Sequence, residues 1–202
     1  GSYSFDPGSD FQFLAVGESA TTSVTYAVSD GEGGGDTATL AVTVNGANDA
    51  PESTSIESQG NMDAEAVSLD ISGHFTDTDG SDVLTYSAEG LPAGLTIDAA
   101  TGIISGTIDN SASQGGTGGV YSVTVTASDG HGGSTSQTFN WAVMNPAPIA
   151  ADDTGSIDED TSITVGNVLS NDGDPDGDAL AVLEVNGSAG NVGSTIAGDN
   201  GG

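Results

Sequence analysis

Three features of the 202-residue chain predict an all-β fold built from tandem two-sheet units of about a hundred residues. Apolar residues alternate with polar ones in short runs, no stretch carries helical periodicity, and a set of markers returns at a nearly constant interval. The first run is "SVTYAVSD", where Val24, Tyr26 and Val28 share one face. In "TATLAVTV", Ala38, Leu40, Val42 and Val44 do the same, and the glycine-rich "SDGEGGGD" lies between, so residues 22–45 read as a hairpin. A second hairpin repeats the plan: Tyr121, Val123, Val125 and Ala127 form one inward row, Phe139, Trp141 and Val143 the other, and "SDGHGGS" is its loop. Trp141 shares parity with its apolar neighbours and reads as core, the alternative being a sugar-stacking platform. His131 and His74 read as surface residues.

The interval organises the rest. "SDGEGG" at Ser29 returns as "SDGHGG" at Ser128, 99 residues on; "NDAP" at 48–51 returns as "NPAP" at 145–148, 97 residues on. "DTDGSDVLTY" at 77–86 is answered by "DPDGDALAV" at 174–182, again 97 residues on. The repeating unit has the size and texture of an immunoglobulin-like β-sandwich. Residues 1–49 then hold the back half of one unit, residues 50–145 a complete unit, and residues 146–202 the front half of another. A segment of about 50 residues is a poor candidate for an independent core. The chain therefore reads as one register of a longer array, its first and last units incomplete, each half completed by a neighbouring copy.

Charge narrows the function. The formal net charge is −30, with no Lys, no Arg and two His. Two carboxylates about 4 Å apart repel by roughly 4 kcal/mol at an effective dielectric near 20, and salt bridges cannot relieve this here. A bound cation, or disorder, is what remains, and the alternating runs argue against disorder. Nucleic acid and anionic membrane surfaces would be repelled, and no apolar run is long enough to insert in a membrane. Without cysteine there is no disulfide, thiol chemistry or Cys–zinc site. Hard Ca²⁺ accepts six to eight irregularly placed oxygens, which suits Asp- and Gly-rich turns better than the stricter octahedron of Mg²⁺. An EF-hand fails at "DGDPDG": position twelve from Asp172 is Leu183, with Glu184 one residue late. The alternative, that these aspartates are solvated turn residues, stays open. Paired carboxylates can hydrolyse glycosides, but here each pair sits in a turn that repeats with the domain, with no nucleophile–base–orienter set, so no enzyme activity is expected. Asn186 in "NGS" matches a glycosylation sequon by pattern only.

"GSYSFDPGSDFQFLAVGESATTSVTYAVSDGEGGGDTATLAVTVNGANDAP" resembles the C-terminal part of a VCBS-type repeat, and "DDTGSIDEDTSITVGNVLSNDGDPDGDALAVLEVNGS" its N-terminal part. Between them, "FTDTDGSDVLTYSAEGLPAGLTIDAATGIISGT" with "YSVTVTASDGHGG" resembles the dystroglycan-type cadherin-like domain. The resemblance implies tandem immunoglobulin/cadherin-like β-sandwiches from a very large secreted bacterial adhesin, with Ca²⁺ held between successive domains. It places Glu18, Asn48, Asp49, Asp77, Asp79 and Asp129 at the first junction. Asp174 and Asp176 match the Asp-x-Asp of the last unit, whose partner aspartate, equivalent to Asp30, belongs to a missing half. Glu159 matches a first-strand glutamate serving the far junction of that unit. The second junction departs from the pattern: Pro146 replaces the linker aspartate, leaving Asp109 or Glu65 as substitutes.

The expected function is thus a structural extender of an extracellular adhesin or surface fibre, rigidified by Ca²⁺ and partnered by neighbouring repeats. Two alternatives are a carbohydrate-binding cadherin-like module, recognising surface polysaccharide, and a filament subunit that assembles by completing split domains through strand pairing.

Overall fold

The computed structural model describes residues 2–159, 161–164 and 166–195. Among them the regular structure is strands, with single 3-10 turns at Ser72–His74, Ala112–Gln114 and Ala189–Asn191. The first segment is one long antiparallel hairpin, β1 (Ser19–Ser29) and β2 (Gly35–Asn45), in register from Ser19↔Asn45 to Ser29↔Gly35.

The middle unit is a two-sheet sandwich. Its strands are β3 (Glu52–Ser53), β4 (Gln59–Met62), β5 (Ala66–Asp70), β6 (Phe75–Thr76), β7 (Thr85–Glu89), β8 (Leu95–Ile97), β9 (Ile103–Thr107), β10 (Val120–Ser128) and β11 (Ser134–Met144). One sheet runs β4-β11-β10-β7, with β4 parallel to β11; the other runs β5-β9-β8, and β3 pairs with β6. The alternation in β10 and β11 sends Val123, Val125, Ala127, Phe139, Trp141 and Val143 inward against Ile71, Phe75, Leu95, Ile104 and Ile108. Apolar side chains on the inner faces of two sheets are what hold a sandwich closed. Two partly buried polar handles fix its geometry. Trp141 Nε1 donates to Asn61 Oδ1 at 2.9 Å, locking β4 to β11. Tyr121 Oη donates to the Ala112 carbonyl at 2.6 Å, nine residues upstream, the arrangement of a tyrosine corner.

The last segment differs from expectation. Front-half strands were expected there; among its described residues only isolated bridges form, at Ile149↔Gly173 and Val185↔Ser188. The physical reason is pairing: in the middle unit β4 and β7 are held by β11 and β10, and residues 146–195 contain no equivalent of those two strands. The Ile149–Gly173 bridge nevertheless repeats the middle unit, because 97 residues earlier Glu52 pairs with Thr76 in the β3–β6 ladder. Asp172 has a structural task there, its Oδ1 accepting from the Ala151 amide at 2.8 Å.

Candidate metal centre

Most acidic turns in this chain are self-sufficient. Asp70, Asp98 and Asp109 are exposed, and each accepts from amides and hydroxyls two or three residues ahead. Those bonds favour the charged form and hold all three carboxyls below the usual value. They are the turn residues of the bland alternative. Glu65 is similar, exposed and bonded to the Met62 amide. Asp109 and Glu65 therefore have local employment, and neither is among the clustered carboxylates of the described residues.

The first junction is built differently. Asp129 closes the β10–β11 loop: its Oδ1 accepts from the His131 amide at 2.7 Å and the Gly133 amide at 3.0 Å. Its Oδ2 is left facing the first segment and accepts from Asn48 Nδ2 at 2.9 Å. That side-chain bond, with the loop amides, lowers the Asp129 carboxyl. Position 133 must be glycine here, because a Cβ would run into Asp129 Oδ2 and Ala50. Asp30 repeats the loop, accepting from the Glu32 and Gly34 amides, which lower it, and Gly34 lies against its carboxylate in the same way.

Opposite Asp129, Asp77 Oδ1 accepts from the Asp79 amide, and Asp79 Oδ2 accepts from the Asp49 amide at 2.8 Å. Asp49 thus contributes its backbone. Glu18 stands at the rim, where it shares a shallow cleft with Phe13, Gly80 and Ser81, and its carboxylate accepts from the Ala15 amide. Carboxylate oxygens of Asp77, Asp82 and Asp129 lie within 4.8 Å of one another. Asp82 was missing from the sequence-derived set. Its side chain is buried, and its Oδ2 stands 3.0 Å from Nδ1 of the half-exposed His131; that bond, then its charge, raises the His131 pKa.

The telling observation is what stays unpaired. Asn48 Oδ1, Asp77 Oδ2 and Asp79 Oδ1 are buried oxygens without a hydrogen-bond partner. Buried polar atoms are normally satisfied, and buried charges are paired or bind metal. Three unpaired oxygen acceptors, on residues that border the Asp77–Asp82–Asp129 cluster, fit a hard cation.

At the far end of the middle unit lies a second cluster. Oxygens of Asp174, Asp176 and Asp178 lie within 4.8 Å of one another. Asp176 is 7% exposed with both carboxylate oxygens unpaired, and its carbonyl accepts from Asn110 of the middle unit at 3.3 Å. Asp63 is 4% exposed; its Oδ1 accepts from the Ser113 amide, and its Oδ2 is unpaired. Sequence reasoning passed over Asp63, although it continues the inward parity of Gln59 and Asn61. Asp30 stands alone on its loop tip, and Glu159 is exposed and joins neither cluster.

The carboxylates of Asp174 and Asp176 crowd each other. The adjacent Asp174 carboxylate, then burial and the charge of Asp178, push Asp176 from 3.8 up to about 6, while Asp174 is lowered. Between those two values the ion-free folded chain binds more protons than the unfolded one, so at this group its stability falls as pH rises from about 4 through about 6. A cation must displace that proton. The stabilisation given by a fixed free Ca²⁺ concentration should therefore be larger at pH 7 than at pH 5, measured as the Ca²⁺-dependent shift in Tm. Asp176→Asn should remove the pH dependence from this cluster.

Comparison with known families places two models on the chain. "He_PIG: Putative Ig domain" matches residues 50–144, and "Big_9: Bacterial Ig domain" matches residues 145–202. No curated protein matches the sequence. Similar solved structures include one titled "a putative alpha-galactosidase" from Bacteroides fragilis, 27% identical, covering 50% of this chain and 19% of that one at a TM-score of 0.36. Drosophila N-cadherin EC1-4 is 20% identical over 55% of this chain and 29% of that one, TM-score 0.40. Mouse cadherin-23 EC22-24 is 20% identical over 61% and 42%, TM-score 0.44. The chain spans less than half the length of each. The sandwich at 50–144, the repeated markers and the two family matches make this an all-β chain with immunoglobulin-like domains in tandem at residues 50–144 and 145–202.

Proposed function

We propose that the chain is an extender segment of a large extracellular bacterial adhesin or surface fibre, stiffened by Ca²⁺ at its domain junctions. The VCBS-type and dystroglycan-type character of its units is part of this reading. The observation that carries it is the set of unpaired buried oxygens on Asn48, Asp77 and Asp79 at the first junction. Asp77, Asp79, Asp82, Asp129 and Asn48 would hold the ion there, with Glu18 and the Asp49 backbone beside them; Asp63, Asp174, Asp176 and Asp178 would serve the second junction. Ca²⁺ supplies positive charge that bridges two units which otherwise face each other with like charge. Extracellular modules of this kind bind Ca²⁺ with a Kd of about 10⁻⁴–10⁻³ M. Immunoglobulin-type bacterial domains and a cysteine-free acidic chain support a cell-surface setting.

Aromatic placement favours an extender over a glycan-binding module. In the middle unit Phe75, Phe139 and Trp141 are buried and Tyr86 and Tyr121 half-buried, so no exposed aromatic platform is offered to a sugar.

Small-angle scattering and calorimetric Ca²⁺ titration test the proposal together. Saturating Ca²⁺ should bind and should lengthen and narrow the distribution of maximum dimensions, and EGTA should broaden it. An unchanged scattering profile with no heat of binding at millimolar Ca²⁺ rejects the reading.

A further inference from the structure

The loop that leads into β1 carries two buried apolar residues that belong to no sheet. Leu14 is 5% exposed and Ala15 2% exposed, and neither is part of the middle unit's core. They press on the chain just past β2, where a Cβ at Gly46 would run into the carbonyls of both. The loop also satisfies its own polar groups. The Leu14 amide donates to the Phe11 carbonyl at 3.2 Å, the Glu18 amide to the Ala15 carbonyl at 3.0 Å, and the Gly46 amide to the Glu18 carbonyl at 2.9 Å. The Ala15 amide donates to the Glu18 carboxylate at 3.1 Å. The Phe13 carbonyl instead reaches outside the first segment and accepts from the Gly80 amide of the middle unit at 3.2 Å.

The grip falls on the turn that carries the first acidic cluster. Gly80 lies inside the Asp79–Asp82 turn, which the Asp82 amide closes on the Asp79 carbonyl at 3.1 Å. Asn48 Nδ2 on Asp129 and the Asp49 amide on Asp79 hold the same place. The groups that the first segment contributes are a side-chain amide, a backbone amide and a backbone carbonyl, so these bonds need no cation. The second junction supplies the comparison. A shift of 99 residues carries Phe11–Gly17 onto Asn110–Gly116, and a shift of 97 carries Gly80 onto Gly177. There the bond that crosses is from Asn110 Nδ2 to the Asp176 carbonyl, at 3.3 Å. The Gly177 amide folds back on the Asp174 carbonyl at 3.2 Å, at φ 87°, whereas Gly80 is not at positive φ. The repeated Asp-x-Asp-Gly turn thus has two conformations, one gripped by the preceding unit and one closed on itself.

We propose that the Phe11–Gly17 loop is a clasp that docks the first segment onto the Asp79–Asp82 turn without a cation, so the first junction is fixed before Ca²⁺ binds. A loop already ordered by its own hydrogen bonds loses little freedom on docking, and the burial of Leu14 and Ala15 favours the closed form. Gly46 and Leu14 are positioning residues in this device: they hold the Phe13 carbonyl where Gly80 meets it. The clasp goes beyond the calcium reading and stands whether or not a cation occupies the cluster.

The chain has no cysteine, so spin labels can be placed one pair at a time. Thr39→Cys with Ser87→Cys puts one label on each side of the junction, both at exposed positions. Double electron–electron resonance on the full chain in EGTA should give a narrow distance peak, at the same distance as in Ca²⁺. Leu14→Asp, which puts a charge at a buried position, and Gly46→Ala, which pushes the loop off the chain beneath it, should each lose that peak in EGTA. Phe13→Ala should keep it, because the carbonyl and not the 54% exposed ring makes the bond. A second pair within the hairpin, Ser23→Cys with Thr37→Cys, should stay narrow in every variant, so that a lost peak reports undocking. A parent distribution that is broad in EGTA and narrows only with Ca²⁺ would overturn the clasp. So would a narrow peak that survives both Leu14→Asp and Gly46→Ala.

Discussion

Trp141→Ala should cost the middle unit about 3–5 kcal/mol, the range for truncating a large buried aromatic. Trp141 is 1% exposed and packs beside Phe139 at a ring separation of 6.1 Å. Truncation opens a cavity between the sheets and also strands Asn61 Oδ1, whose hydrogen bond to Nε1 ties β4 to β11. Total stability of a domain this size is about 5–15 kcal/mol, so the variant stands near the edge of folding. With a urea slope of about 1–3 kcal/mol/M, the unfolding midpoint should fall by roughly 2 M. Trp141 is the single tryptophan, so far-UV circular dichroism is the probe. Trp141→Phe separates the two contributions, keeping most of the apolar burial and losing only the bond to Asn61. A midpoint unmoved by the Ala variant would mean that the indole is not core, and would return it to the sugar-stacking role that its burial argues against.

Period-two patterning makes both hairpins legible in the sequence, because each strand has one buried or buriable face and the parity survives in the residues. The Asp-x-Asp turn and the Asp-Gly loop were legible through repetition. Repetition is also why Asp82 was missed. Its counterpart 97 residues on is Ala179, so it carries no repeat signal, yet the Asp79–Asp82 turn swings its carboxylate to Asp77 and Asp129. Asp63 is hidden for a different reason: it ends an inward-facing strand row, where parity alone marks a core position and not a ligand. The missing strands of residues 146–195 follow from physics that patterning does not contain. Alternation says which face a strand would bury, whereas formation needs a neighbour to accept its hydrogen bonds. Glu159 shows the same limit, a motif position that is exposed among the described residues.

Saturating Ca²⁺ should raise the melting temperature of the middle unit by on the order of 10 °C, and Asp77→Asn should abolish most of that rise. One site at a hundred times its Kd contributes about 2.7 kcal/mol, and each kcal/mol moves Tm by about 4–8 °C in a domain of this size. Asn at position 77 keeps an oxygen to accept from the Asp79 amide, so the turn survives, while one of the three clustered carboxylates becomes neutral. The variant should therefore match or exceed the wild type in EGTA, since like-charge repulsion is relieved, and fall behind it only when Ca²⁺ is present. That crossing of the two curves is what a coordination site predicts and what a simple loss of packing does not. Screening is the competing explanation, because at net charge −30 any salt softens repulsion between exposed groups. Sodium chloride at matched ionic strength separates the two. If it reproduces the Ca²⁺ shift in both proteins, the junction aspartates are a screened surface. If only Ca²⁺ produces the shift, and only with Asp77 intact, the unpaired oxygens of Asn48, Asp77 and Asp79 have found their ligand.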